Sequence, residues 1–217
     1  MNDVTVYGVP GSPYVRSALL GFEEKGAPYR LHALGLGDEK KPDHLIRHPF
    51  GRVPTINHNG FELYETQAIL RYIDATFHGP ALQPRDLRAA ARMDQIAGVV
   101  DWYFFRDVTA VISFNRFLAP FLGVPTDEAA IAAAVPKAKI CVEALEQLRA
   151  GQRFLAASDI SIADLMLAPQ LEIFMATPEG HALLAGRALA DWLAMIAERP
   201  SMRATTRESL QSALKAA

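Results

Sequence analysis

Ser12 stands in Pro10-Gly11-Ser12-Pro13, directly after a short β-branched run and where a helical pattern begins. A serine in that place caps a helix, with Pro13 at the first helical position, where a missing N–H costs nothing. The same geometry suits an anion, because the helix dipole and the unpaired amides of a first turn point at it. An acyl-transfer role does not fit: no GxSxG elbow surrounds Ser12, and no nearby His/Asp pair suggests a triad. Arg52-Val53-Pro54-Thr55 is a second candidate. Proline lacks an amide donor and sits at the edge or bend of a strand. If the Val53–Pro54 bond is cis, the Val53 backbone groups turn outward and can pair with an extended ligand, as in strand addition; a plain edge proline fits the same residues. A third candidate is Tyr64-Glu65-Thr66-Gln67-Ala68-Ile69, which ends a strand and begins a helix. Glu65 and Thr66 read there as capping residues. They also read as a carboxylate for an amine beside a hydroxyl and amides for a carboxylate, the charge pair of an α-amino acid head group.

The elements that must hold these residues follow from period and punctuation. Val4 to Tyr7 is strand-like and ends at Gly8, Pro10 and Gly11. From Pro13 to Gly26 the apolar positions Val15, Leu19, Leu20 and Phe22 form a helical stripe, with Gly26 as its stop. Tyr29 to Leu34 predicts a second strand and Glu39 to Ile46 a short helix. Val53 to Asn57, Asn59-Gly60 and Phe61 to Tyr64 predict a hairpin, because Asn-Gly supplies the positive φ angles of a type I′ turn. Glu65 to Phe77 returns to helical period. The order β-α-β-α-β-β-α predicts a mixed sheet with helices on its faces. Residues 79–87 hold two prolines and a glycine and read as a linker. Everything later reads as helix. Ser161-Ile-Ala-Asp164 is a capping box with Asp in place of Glu, and Pro200-Ser201 starts the last predicted helix. Trp102-Tyr-Phe-Phe105 and the stripe Phe114, Phe117, Phe121 fall early in the helical part; the i, i+3, i+7 spacing of the stripe is what a core-facing helix needs.

Composition narrows the function classes. The 217 residues are 50% hydrophobic and 21% charged, the proportions of an ordinary folded, water-soluble protein. Lys plus Arg (22) nearly balances Asp plus Glu (24), so the basic face that a nucleic-acid partner requires is missing. Cys141 is the only cysteine, which excludes an internal disulfide, a multi-cysteine zinc site and a CxxC redox pair. No run of 18 apolar residues and no basic leader occurs, so the expectation is a soluble cytoplasmic protein with no membrane partner. His44 and His48 have the i, i+4 spacing of helical metal ligands, but without HExxH or a third ligand nearby they read as a solvated pair, and no metal is expected. Tyr7 belongs to a strand and reads as packing.

Together, the stretches GSPYVRSALLGFEEKG, His48-Pro49-Phe50-Gly51 running into RVPTI, ELYETQAILRYI and SIADLMLAP resemble the glutathione S-transferase family over essentially the whole chain. The serine after a Pro-Gly pair and the stretch GDEKKPDHLIRHPFG are most similar to its serine-dependent phi and theta-like classes. The resemblance implies an α/β thioredoxin-like domain (βαβαββα, residues 1–78), the linker 79–87, and an all-helical bundle (88–217) contributing a hydrophobic substrate site. It implies that Ser12 hydrogen-bonds the glutathione sulfur, that Lys40 meets the glycyl carboxylate, and that Val53 pairs its backbone with the cysteinyl unit beside a cis Pro54. Glu65 and Thr66 would hold the γ-glutamyl amine and carboxylate. Tyr14, Phe114 and Phe117 are the expected contacts to a small hydrophobic electrophile. Two departures stand out. Glu39 replaces a histidine and would repel a carboxylate, while Arg52 replaces a glutamine and can restore the attraction. Glutathione is then a co-substrate and no cofactor is needed. A homodimer is implied, with the helix beginning at Glu65 and the one after the linker near the two-fold axis. The rival functions are dehalogenation or isomerisation on the same site, and a binding module of the same fold without thiol chemistry.

Overall fold

Side-chain alternation builds the sheet. In the computed structural model, which describes residues 3–216, β1 (Val4–Gly8) lies parallel to β2 (Arg30–Ala33) and antiparallel to β3 (Thr55–His58), which pairs with β4 (Phe61–Tyr64). The strand order is β2-β1-β3-β4. Register sets Leu31, Val6, Ile56 and Leu63 side by side, and His32, Tyr7, Thr55 and Tyr64 side by side one residue on. Period two sends these rows to opposite faces. The first row packs on Val15, Leu19 and Phe22 of α1 (Pro13–Lys25) and on Ile69 and Ile73 of α3 (Thr66–Thr76). Gly26 ends α1 with φ 60°, and Asn59 and Gly60 turn the hairpin with φ 53° and 89°, the left-handed values expected of those residues.

Local chemistry moves some boundaries. The helix expected from Glu39 to Ile46 is a 3₁₀ turn, Asp38–Lys40, and a separate α2, Pro42–Leu45. Pro42 pushes Lys41 to extended backbone, with ψ 152°, and breaks the run. Glu65 lies outside α3, with φ 70°, so that helix begins at Thr66.

The chain forms two compact units. One comprises residues to Gln83 together with those from Ala197 on, and the other Pro84–Ile196. The C-terminal segment, expected with the helical half, therefore belongs to the unit that contains the sheet. Arg16 donates to the Thr205 hydroxyl (3.3 Å) and to the Met202 carbonyl (3.0 Å), Arg199 donates to Glu24 (2.7 Å), and Leu210 enters the core. These contacts involve α10 (Pro200–Ala204) and α11 (Arg207–Ala216), the second of which follows the helix expected to be last.

The other unit is helical. It contains α4 (Leu87–Val99), which runs on into a wide π-helical stretch, Val100–Leu118, and a last turn α5 (Ala119–Phe121). Then come α6 (Glu128–Arg149), α7 (Ile162–Met175), α8 (Pro178–Leu184) and α9 (Ala188–Ala197). The capping box predicted at Ser161 opens α7. One Asp164 oxygen accepts the Ser161 amide and hydroxyl, both at 2.8 Å, and the other accepts Leu155 N (2.9 Å) and Trp192 Nε1 (3.2 Å). Burial pushes the Asp164 carboxyl up to about 6 against these bonds. Cys141 is buried, and burial followed by the Asp107 charge pushes its thiol up to about 11, which keeps it unreactive. Among the described residues no helix is long and apolar enough to cross a membrane.

Candidate functional site

The register gathers the three sequence candidates at one end of the sheet. Tyr7, Thr55 and Tyr64 are cross-strand neighbours. The loop leaving β1 toward Ser12, the residues Val53-Pro54 entering β3, and Glu65 leaving β4 therefore all emerge from the same edge. Ala33, opposite Gly8, sends the chain from β2 toward Lys40 at that edge as well. Two helices, α1 and α3, begin there, so their positive dipole ends and unpaired amides share the site.

Ser12 is the N-cap of α1, and its Oγ accepts the Val15 amide at 3.5 Å. That bond is at the long end of the range. Capping occupies an oxygen lone pair and leaves the hydroxyl hydrogen available for donation. The capping and anion-binding readings of Ser12 are therefore compatible on one side chain.

The Val53–Pro54 bond is cis, and Val53 precedes the ladder, which starts at Thr55. Glu65, at φ 70° and ψ 114°, occupies backbone that L-residues avoid, at a cost of about 1–3 kcal/mol. Its side chain makes no capping bond and is exposed, so the capping reading fails for Glu65, whereas Thr66 is buried in the first turn of α3.

Lys40 donates to the Gly51 carbonyl at 2.7 Å, which fixes the ammonium beside the segment that carries Arg52. Gly51 has φ 56°, and a Cβ there would lie 2.9 Å from Lys40 Cδ and 3.0 Å from the Glu39 carbonyl oxygen, so only glycine permits this approach. Glu39, expected to repel a carboxylate, uses its side chain to accept the Gly37 amide at 2.9 Å. Arg52 is exposed.

Sequence reasoning missed the histidines. His44 and His48 are not a solvated pair: each is 3% exposed. The His48 ring lies 4.5 Å from Tyr64, 6.1 Å from Phe50 and 6.4 Å from His44. Burial, followed by the charges of His44, Arg52 and Lys40, holds the His48 imidazole below its ordinary pKa. The visible signal was His48 leading directly into Pro-Phe-Gly, where an aromatic surface waited. Tyr7 lies with the Arg47 guanidinium 4.4 Å above its ring and the His32 ring 5.1 Å away, a packing role.

The aromatic stripe departs from expectation. Phe114, Phe117 and Phe121 are 36%, 44% and 69% exposed and do not form core. In the π-helical stretch Val100, Phe104, Val108 and Ile112 are buried at steps of four, Phe114 and Phe117 are not among the buried residues, and Phe121 lies in α5. Thus Ser12, Tyr14, Lys40, Arg52, Val53, Pro54, Glu65 and Thr66 belong to the unit containing the sheet, with Tyr14 in the first turn of α1, while Phe114 and Phe117 belong to the helical unit.

Models of the glutathione S-transferase N-terminal and C-terminal domains match residues 6–81 and 128–194. Glutathione S-transferase F12 of Arabidopsis thaliana is 30% identical over 205 residues, covering 92% of this chain and 95% of the relative. The chain belongs to the glutathione S-transferase family. The fold agrees at full length. The crystal structure of glutathione transferase F2 from Populus trichocarpa superposes with a TM-score of 0.86 at 28% identity, covering 96% of this chain and 99% of that one. Maize glutathione S-transferase I, solved in complex with an atrazine glutathione conjugate, superposes with a TM-score of 0.82 at 27% identity, covering 93% and 95%.

Proposed function

We propose that this glutathione transferase holds the thiol of glutathione as a thiolate through the Ser12 hydroxyl and conjugates it to small hydrophobic electrophiles. The observation that carries the reading is the Ser12 side chain itself. Its oxygen caps α1 while its hydrogen stays available, at the sheet end where Val53, Glu65 and Thr66 meet.

The energetics are sufficient. A free thiol has a pKa of about 8.5 and is only a few per cent ionised near neutrality. Lowering that by about two units makes the bound thiol mostly thiolate and requires about 2.7 kcal/mol of preferential stabilisation. A hydroxyl donating to an ionised acceptor contributes about 1.5–3 kcal/mol, and the start of α1 about 0.3–1 kcal/mol more. The thiol proton leaves to water. The sulfur then forms a bond to the electrophilic carbon as the leaving group departs with its electron pair. Glu65 binds the γ-glutamyl amine, while Thr66 and the first amides of α3 bind its carboxylate. The Val53 amide and carbonyl pair with the cysteinyl unit, and Lys40 and Arg52 attract the glycyl carboxylate. Tyr14, in the first turn of α1, contacts the electrophile. The atrazine conjugate bound by the maize relative supports an apolar, electrophilic second substrate. The same thiolate also reduces organic hydroperoxides: a hydroperoxide and two glutathiones give an alcohol, water and glutathione disulfide. Membership of the family supports a homodimer.

Chlorodinitrobenzene turnover tests the reading. Ser12→Ala should lower the conjugation rate by about ten- to a hundredfold, the loss of one charge-assisted hydrogen bond, and leave glutathione binding nearly unchanged. Unchanged turnover removes Ser12 from the mechanism.

A further inference from the structure

Resting on that glutathione site, we infer that His44 is a positioning residue which sets the direction of the Val53 amide through the carbonyl of Arg52. His44 lies on the four-residue α2, whose Leu45 and following Ile46 are 37% and 82% exposed, yet His44 itself is 3% exposed. A turn that faces water therefore drives one polar side chain inward. The bond it makes there is short: His44 Nε2 lies 2.7 Å from the Arg52 carbonyl oxygen. A carbonyl only accepts, so Nε2 carries the hydrogen.

The Arg52 carbonyl and the Val53 amide are the two ends of one peptide plane. Among the described residues the one cis bond is Val53–Pro54, so the Arg52–Val53 bond is trans, and its C=O and N–H point in opposite directions. Pinning the oxygen toward α2 aims the hydrogen away from α2. A carbonyl that accepts a hydrogen bond also polarises its own amide, which makes the Val53 N–H a better donor.

Two further contacts make the arrangement stiff. Lys40 holds the neighbouring carbonyl, that of Gly51, at 2.7 Å, so residues 40 and 44 grip consecutive carbonyls of the segment entering β3. Behind His44 the His48 ring stacks at 6.4 Å with an interplanar angle of 26°, and His48 in turn lies 4.5 Å from Tyr64, the residue before Glu65. The histidine pair thus joins the backbone for the cysteinyl unit to the strand end that carries the γ-glutamyl contacts. The Ser12 hydroxyl takes no part in this network. An effect on holding glutathione, separate from the chemistry on sulfur, follows.

The test is steady-state kinetics with glutathione varied at saturating chlorodinitrobenzene, alongside thermal melting. His44→Phe keeps a ring of similar size and removes the donor; His44→Gln keeps an amide N–H near the Nε2 position. The expected result is a rise of about tenfold in KM for glutathione in His44→Phe with kcat within about twofold, and recovery of most of that loss in His44→Gln. An unchanged KM in His44→Phe overturns the inference, as does an equal rise in both variants or a fall in kcat at constant KM. Should His44→Phe show no melting transition, His44→Gln decides alone: a KM near that of the unsubstituted protein supports the role, and a tenfold rise contradicts it. Absence of turnover in the unsubstituted protein overturns the glutathione site and this inference together; turnover there leaves the variants to judge His44 by itself.

Discussion

Two serines open helices in this chain, and their surroundings are opposite. Ser161 begins α7 in a sealed pocket, where the Asp164 carboxylate accepts four hydrogen bonds and nothing polar faces solvent. Ser12 begins α1 half-exposed, with one long capping bond and a hydroxyl hydrogen left over. A cap whose hydrogen bonds are all used within the chain serves the fold. A cap with a spare donor at a shared edge of strands serves a ligand. The same residue type at the same local position thus does different work according to how many of its bonds the chain completes.

This contrast is easiest to break at α7. Asp164→Ala leaves the Ser161 amide, the Leu155 amide and the Trp192 indole N–H buried without their acceptor, and should destabilise the protein by about 3–5 kcal/mol. Denaturant unfolding checks it, and a loss below about 1 kcal/mol would show that the box is not sealed. Ser12→Ala should behave the other way, with a stability loss of about 1 kcal/mol or less beside its much larger kinetic effect. A melting temperature that falls as far as for Asp164→Ala would make Ser12 a structural cap and erase the distinction.

The smallest expected effect concerns the returning C-terminus. Burial raises the pKa of Glu24, but the hydrogen bonds from Arg199 and Ser201 outweigh it and hold the carboxyl below its usual 4.5. A lowered folded pKa gives stability that is complete above the unfolded value and is lost as pH falls through the folded one. Unfolding midpoints should therefore drop below about pH 4.5, and Arg199→Gln should flatten that acid limb. An identical acid limb in the variant would show that the pair is not what holds the segment.

Much of the scaffold was legible because single residues carry it. Pro13 and Gly26 bracket α1, Asn59-Gly60 turns the hairpin, and Ser161 with Asp164 opens α7. The three segments of the site were legible for the same reason: each sits where a strand ends or begins. What escaped depends on contacts far apart in sequence or on unusual backbone. The His48 ring lies 4.5 Å from that of Tyr64, sixteen residues on, and His44 bonds the Arg52 carbonyl, contacts that the i, i+4 spacing of the pair does not announce. Glu65 adopts a positive φ that its residue type does not announce. The i, i+3, i+7 spacing of Phe114, Phe117 and Phe121 marks one side of a helix but does not say whether that side meets core or solvent, and all three are exposed. Arg16 and Arg199 tie the C-terminal segment to α1 through partners 189 and 175 positions away.

The pKa of the bound thiol tests the central claim most directly, read from the ultraviolet absorbance of the thiolate as glutathione-saturated protein is titrated. The unsubstituted protein should ionise the thiol about two units below the free value of about 8.5, and Ser12→Ala should return it toward that value. Equal ionisation in the two proteins would contradict the account, since the sulfur's charge would then owe nothing to the hydroxyl at the start of α1.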